Sequence, residues 1–309
     1  MFSESMARIS LLLPTRGRAR LIRRLFDSVA MCTNRLEDLE IILYLDDDDE
    51  TGQEISDDRF SLLKIFGPRL SMGAYNTICL GRASGDYIML MNDDVIVRTS
   101  AWDRKVAELG RTISDGIFLA YPNDLHIGKR MCTFPILTKK ACELLLRPYP
   151  EEYKTHFIDW HILDIFKRLR AMGHARIFYL EDVVFEHCHY MAGKAEFDAT
   201  YKSKDYYQDD WNFLSLRPLR QQMAERLAAS IAGRPIPDLQ FLPAPAQRPD
   251  KTLTVLRRYI SEYLGDSVLP MEERVRLFIW LTGRYLRHQK YLPEKKSSRK
   301  AIQELNNLW

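Results

Sequence analysis

Residues 85–97 read GDYIMLMNDDVIV. Five apolar or aromatic residues, two of them methionine, run inward from Tyr87 to Met91. Asn92, Asp93 and Asp94 interrupt, and an apolar run resumes at Val95. A buried carboxylate without a cation or strong donors nearby is costly. The run therefore leaves a sheet at Asn92, or something positive is held there.

Working outward, RISLLLPT (8–15) is a short apolar run ended by Pro14, which predicts a buried strand. RARLIRRLFDSVAMCT follows, with Leu21, Leu25, Phe26 and Val29 at helical spacing. LEIILYLDDDD (39–49) predicts a second strand that runs into acid, and SLLKIFGPR a third. A helix is expected over about 74–83, closed by Gly85, before the strand at 86–91. This strand, helix, strand, strand, helix, strand order predicts an α/β fold with a mostly parallel central sheet flanked by helices. Ligands of such sheets bind beyond the carboxyl ends of the strands. Asp46–Asp49 and Asn92–Asp94 both fall there, so the two acidic clusters mark one candidate site.

The chain has 309 residues, enough for one large domain or two modest ones. Hydrophobic residues make up 46% and charged residues 28%, as in ordinary globular proteins. A net charge of +3 gives no case for nucleic acid. Five cysteines without a Cys-x-x-Cys pair read as reduced thiols in a cytoplasmic protein. No apolar run approaches the ~20 residues of a membrane span. The opening MFSESMARIS lacks the basic-then-apolar order of a signal peptide.

Further along, 115–122 predicts a strand and CTFPILTKKACELL a short helix. DWHILDIFKRLRAMGH carries Ile162, Phe166 and Leu169 on one helical face, with Gly173 as its stop. ARIFYLEDVVFEHCH reads as strand, turn, strand. His187 and His189 are spaced to point both rings to one side, with Cys188 opposite. His126 and His174 read as ordinary surface or core residues. Residues 214–232 read as helix and the proline-rich 233–250 as a linker. Val255, Leu256, Tyr259, Ile260, Tyr263 and Leu264 form an amphipathic stripe, and 271–290 a further helix.

With these pieces in place the chain resembles a family 2 glycosyltransferase of the GT-A fold. The matching segments keep the family's order: SLLLPTRGR, LYLDDDD, NTICLGRASGDYIMLMNDDV, DWHILDIFKRLRAMGH and VVFEHCH. The resemblance covers about residues 8–200 and implies a catalytic domain over 1–213. A helix and linker over 214–250 and a helical region over 251–309 would follow.

The resemblance also implies roles. Pro14, Thr15, Arg16 and Arg18 would wrap the nucleotide, and Asp46 would accept a hydrogen bond from its base. Met72, Gly73 and Asn76 would contact base and ribose. Asn92-Asp93-Asp94 stands where the family has Asp-x-Asp, so Asp94 would bind a divalent cation, Mn²⁺ or Mg²⁺, against the donor diphosphate. Asn92 departs from the family's aspartate, although an amide can still bond a sugar hydroxyl. His187 would be the further metal ligand, with His189 as its substitute or as a phosphate contact. Asp159, at a helix start, would be the base of an inverting transfer. The acid that usually precedes it is replaced by Ile158. Asp159 as a mere N-cap, and Trp160 as sugar wall or core, stay open, and Asp164 reads as structural.

The implied function is transfer of a sugar from a nucleotide-sugar, UDP favoured, to a glycan or lipid-linked glycan acceptor in bacterial surface polysaccharide synthesis. A non-catalytic sugar-binding scaffold on the same fold is the alternative. A sugar nucleotidyltransferase ranks lower, because LLLPTRGRARL has one glycine and no lysine. The segment RVRLFIWLTGRYLRHQKYLPEKKSSRK mixes apolar and basic residues. It suits an anionic membrane surface at the inner face, the chain's own catalytic domain, or a second subunit in a homo-oligomer.

Overall fold

A computed structural model describes residues 8–194, 207–240 and 248–291. The N-terminal 1–7, residues 241–247 of the proline-rich segment and the C-terminal 292–309 lie outside the described residues, as do 195–206, which include the end of the family-like region.

Strands β1 (Ile9–Thr15), β2 (Leu39–Asp46), β3 (Ser61–Gly67), β4 (Tyr87–Leu90), β5 (Val95–Val97), β6 (Leu119–Asn123), β7 (Ile136–Thr138) and β8 (Ile177–His187) form one mixed sheet. Its spatial order is β3-β2-β1-β4-β7-β6-β8-β5. The β3-β2-β1-β4 half is wholly parallel, as the strand and helix order of the first ninety residues requires. Two antiparallel pairings through β7 and one between β5 and β8 make the second half mixed.

The sheet is buried on both faces. Ile9, Leu11 and Leu13 of β1 join Ile41, Leu43 and Leu45 of β2 in one core, whereas Leu12, Ile42 and Tyr44 enter the other. That is the period of two expected of strands, and strands covered on both sides read as continuous apolar runs. Helices α1 (Ala19–Cys32) and α4 (Trp102–Thr112) contribute to the first core, with Ile22 rather than Leu21 completing the buried stripe of α1. The second core takes α3 (Met72–Leu80), α5 (Lys139–Leu145) and α6 (Ile158–Ala171). A four-residue helix, α2 (Glu50–Gln53), follows β2 and is capped by Asp49. Strand β3 is an edge, half-exposed and carrying Lys64, as edges commonly are.

Two expectations change. CTFPILTKKACELL holds β7 as well as a helix, because Ile136–Thr138 pairs antiparallel with β4. ARIFYLEDVVFEHCH is one strand, not two with a turn. Its first half runs parallel to β6, a register shift follows Pro122, and its second half pairs antiparallel with β5. Exposed Glu181 and Asp182 sit at the irregularity and imitate a turn in sequence.

Helices α7 (Gln208–Ser215), α8 (Arg217–Ile231), α9 (Thr252–Tyr259) and α10 (Met271–His288) complete the fold, with a π-helical turn over Ile260–Leu264. None of the described helices is long and apolar enough to cross a membrane. Helix α10 packs on the chain's own sheet-bearing part. Leu277, Leu281 and Tyr285 share a core with Ile162, Phe166 and Leu169 of α6. A buried ion network backs this packing. Asp164 accepts from Arg168 Nε at 2.8 Å and Arg220 Nε at 2.6 Å, and Arg168 reaches Asp266 at 2.6 Å. Asp164 is thus structural, as expected.

Candidate active site

The site forms where β1, β2, β4 and β8 end. Asp46 is the last residue of β2 and 2% exposed. Its Oδ2 accepts from Arg16 at 2.8 Å and its Oδ1 from the Tyr75 hydroxyl at 2.6 Å. Arg16 also grips exposed Asp48 by both terminal nitrogens and holds that carboxyl below its usual range. Burial pushes Asp49 up, but the amides of Gly17 and Thr51 outweigh it and leave its carboxyl lowered. The acidic run after β2 therefore fastens the loop that follows β1.

Pro14 and Thr15 end β1, and the Thr15 hydroxyl donates to Asp93 Oδ2 at 2.7 Å. Arg18 Nη1 donates to Asp93 Oδ1 at 2.8 Å. Burial drives the Asp93 carboxyl upward, and the Arg18 charge opposes it. Asn92 is exposed at the turn between β4 and β5. The question posed by residues 85–97 is thus answered for Asp93: the chain leaves the sheet, and an arginine and a threonine are waiting.

Asp94 has a different neighbour. Val95 stands opposite His187 in the antiparallel β5–β8 pair, and the Cys188 N–H donates to the Asp94 carbonyl. This pairing brings Asp94 Oδ1 to 3.2 Å from His187 Nε2, both side chains being almost wholly buried. Neither ring nitrogen of His187 makes a hydrogen bond among the described residues. His189 follows, its ring 5.0 Å from that of His187. His126 lies against both, at 6.4 Å from His187 and 6.3 Å from His189. Among the described residues no group of three or more His, Cys, Asp or Glu is arranged to hold a metal by itself.

Asp124 builds the support for these rings. Its Oδ1 accepts from the amides of His126, Ile127 and Gly128 at 3.0, 2.9 and 2.8 Å, and its Oδ2 from Thr133 at 2.7 Å. Its carbonyl accepts the His187 N–H at 3.0 Å. Burial holds His126 below the ordinary histidine value. His126, read from the sequence as an ordinary surface or core residue, packs beside the other two rings. The available signal was the Asn-Asp pair at 123–124, a residue type that bonds its own downstream amides to build turns.

Asp159 lies in the first turn of α6. The N-cap is Phe157, so Asp159 is not the cap. Its Oδ1 accepts the Trp160 N–H at 2.8 Å. Burial raises its carboxyl to about 6, opposed by that amide and by the field of His187. Trp160 turns toward α10, its ring 4.4 Å from that of Trp280.

Met72, Gly73 and Asn76 occupy the first turns of α3. The N–H groups of Met72 and Gly73 donate to the carbonyls of Lys154 and Tyr153, and the Asn76 amide donates to the Met72 carbonyl. A Cβ on Gly73 would collide with the carbonyl of Pro150. On the far side of the same loop, Asp209 accepts the amides of Lys154, Thr155 and His156. The segment leading into Asp159 is thus clamped between α3 and α7. Gly73→Ala is expected to destabilise the fold by about 1–3 kcal/mol, the cost of overpacking a close contact, read as a lower urea midpoint at unchanged slope.

No protein-family model and no curated protein matches this sequence. Among solved structures the chain is similar to S. aureus TarS, residues 1–349. The complex with UDP-GlcNAc aligns with a TM-score of 0.53 at 14% identity, covering 91% of this chain and 81% of that one. The complex with UDP aligns at 0.51 and 12%, covering 90% and 82%. These likenesses show the fold: a mixed sheet flanked by helices, with a helical C-terminal part, as the GT-A resemblance implied.

Proposed function

We propose that this chain is a metal-dependent, inverting glycosyltransferase that moves a sugar from a nucleotide-sugar donor, UDP favoured, to a glycan. The observation that carries the reading is the approach of Asp94 Oδ1 to His187 Nε2 at the carboxyl end of the sheet. It occurs in a fold shared with a protein solved with UDP-GlcNAc. A carboxylate oxygen and an imidazole nitrogen that approach each other this closely suit two positions around one cation. Donor diphosphate oxygens and water would supply the remaining positions, consistent with two converging groups rather than three. His189, its ring 5.0 Å from that of His187, would substitute or meet phosphate. Such a cation would neutralise charge building on the departing diphosphate.

Asp159 is the base. Its carboxylate takes the proton of the acceptor hydroxyl while that oxygen attacks the anomeric carbon and the bond to the diphosphate breaks, inverting the centre. A carboxyl titrating at about 6 is ionised at neutral pH yet basic enough for the task. Arg18 and Thr15 fix Asp93, and Arg16 with Tyr75 fix Asp46, so the nucleotide would meet a braced floor. The acceptor class favoured is a bacterial surface glycan, free or lipid-linked.

Nucleotide release from UDP-, dTDP- and GDP-sugars, measured with Mn²⁺ and with chelator, tests the reading. Release is expected with Mn²⁺, lost in chelator, and reduced at least about tenfold by Asp94→Ala or His187→Ala. Donor binding with no turnover under any condition would favour the sugar-binding scaffold instead.

A further inference from the structure

We propose that Trp280 of α10, together with Trp160, forms the wall against which a pyranose ring of the acceptor glycan stacks. This rests on the glycosyltransferase reading above and deepens it by placing the acceptor. Asp159, as the base, fixes where the acceptor reacts. A base must lie within about 3 Å of the proton it takes, so the acceptor hydroxyl sits at that carboxylate. The rest of the acceptor ring must then rest on surface within a few ångströms of Asp159. Trp160 follows Asp159 in the first turn of α6, and its backbone N–H donates to Asp159 Oδ1 at 2.8 Å. Its indole is only partly buried and lies 4.4 Å from the partly buried indole of Trp280, at an interplanar angle of 34°.

Phe157 and Arg284 back the pair on the side of the core. Phe157 is buried behind the pair, 5.5 Å from Trp280 and 5.1 Å from Phe213. Arg284 is held bidentate on Asp210, with its guanidinium 5.6 Å from the Trp280 ring centre. By contrast, neither Trp160 nor Trp280 donates its indole N–H to a partner among the described residues, and neither nitrogen is a buried orphan. Trp102 shows the alternative, since its indole is fully buried and donates to Thr33 at 3.0 Å.

A pyranose has apolar C–H faces and a rim of hydroxyls. Aromatic faces cover the first and indole N–H donors serve the second. The tilted pair offers both features, one of its members lying one residue along α6 from the proposed base. One of its two members comes from the C-terminal helix, so the acceptor side is complete only when α10 is docked.

The test uses the full chain with Mn²⁺ and a printed array of bacterial surface oligosaccharides as the probe. Donor hydrolysis by water is measured in parallel. Wild-type protein is expected to bind a subset of the array. Trp280→Ala should weaken that binding roughly tenfold and shift the partition between transfer and hydrolysis toward water by a similar factor. Trp280→Phe keeps the packing and should restore most of the binding, which guards against a folding artefact. Ile279→Ala, on an exposed neighbouring residue, is the control expected to behave as wild type. Unchanged array binding in Trp280→Ala, or a wild-type protein that hydrolyses donor but binds no array glycan, would overturn the proposal. A wild-type protein that releases no nucleotide from any donor would instead count against the glycosyltransferase reading.

Discussion

Asp159→Asn is expected to lower glycosyl transfer by roughly 10²–10⁴-fold, the usual loss when a positioned general base is removed. Two further signatures separate this outcome from simple damage. The wild-type rate should fall as pH drops through about 6, where the carboxyl takes up its proton. The residual activity of the variant should lose that limb. Stability should move the other way. The folded carboxyl titrates at about 6 against an ordinary 3.8. Its contribution therefore favours folding below pH 4 and declines as pH rises toward 6. At pH 8 the ionised group costs the fold at most about 3 kcal/mol, less whatever its partial exposure recovers. Asp159→Asn should thus melt higher than wild type at pH 8 and level with it near pH 4. A variant that is both inactive and less stable at pH 8 would mark Asp159 as structural. That pairing of lost rate with gained stability is expected where a charged group is kept in an unfavourable place for chemistry.

The second large effect is structural. Asp164→Asn should destabilise the protein by about 3–5 kcal/mol, because it leaves Arg168 and Arg220 buried without their shared carboxylate. Desolvation pushes the Asp164 carboxyl up, but the two guanidinium groups outweigh it and carry it far below the usual range. The sign is opposite to that of Asp159: the stabilisation is complete above about pH 4 and fades as the unfolded carboxyl is protonated below it. Urea unfolding at pH 7 should show the full difference between variant and wild type, and at pH 3 a smaller one. An equal gap at both values would mean that the network contributes by shape rather than by charge. Because Arg168 also holds Asp266, just beyond the π-helical turn, the loss should loosen α9 and α10 against α6 and appear as faster amide exchange there.

The parallel half of the sheet was legible because its signals are local. Apolar runs of strand length alternate with helical spacing, and each ends at a proline or an acid. Strand β7 was not legible, since three residues become a strand only by pairing with β4. The single strand β8 was hidden by Glu181 and Asp182, whose exposure follows from a register shift that no local pattern encodes. In the site, the meeting of Asp94 with His187 was foreseeable from the family resemblance, and the chain achieves it through the β5–β8 pair. That His126 lies against both rings was not legible, because Asp124 holds its turn by four hydrogen bonds. Met72 and Gly73 were read as contacts to base and ribose; what no local pattern showed is that their amides bond the segment before Asp159, a contact between residues about eighty apart. Trp160 was left between core and sugar wall because its neighbour, Trp280, lies over a hundred positions later.

The β5–β8 pairing also sets a timetable for biosynthesis. When Asp94 leaves the ribosome, the histidine it will face has not been made. At ordinary elongation rates the interval is roughly 5–20 s, during which the parallel half can consolidate alone. On the metal site proposed above, cation capture would wait for a late stage, so a nascent chain stalled short of residue 187 would display a settled parallel half and no grip on metal.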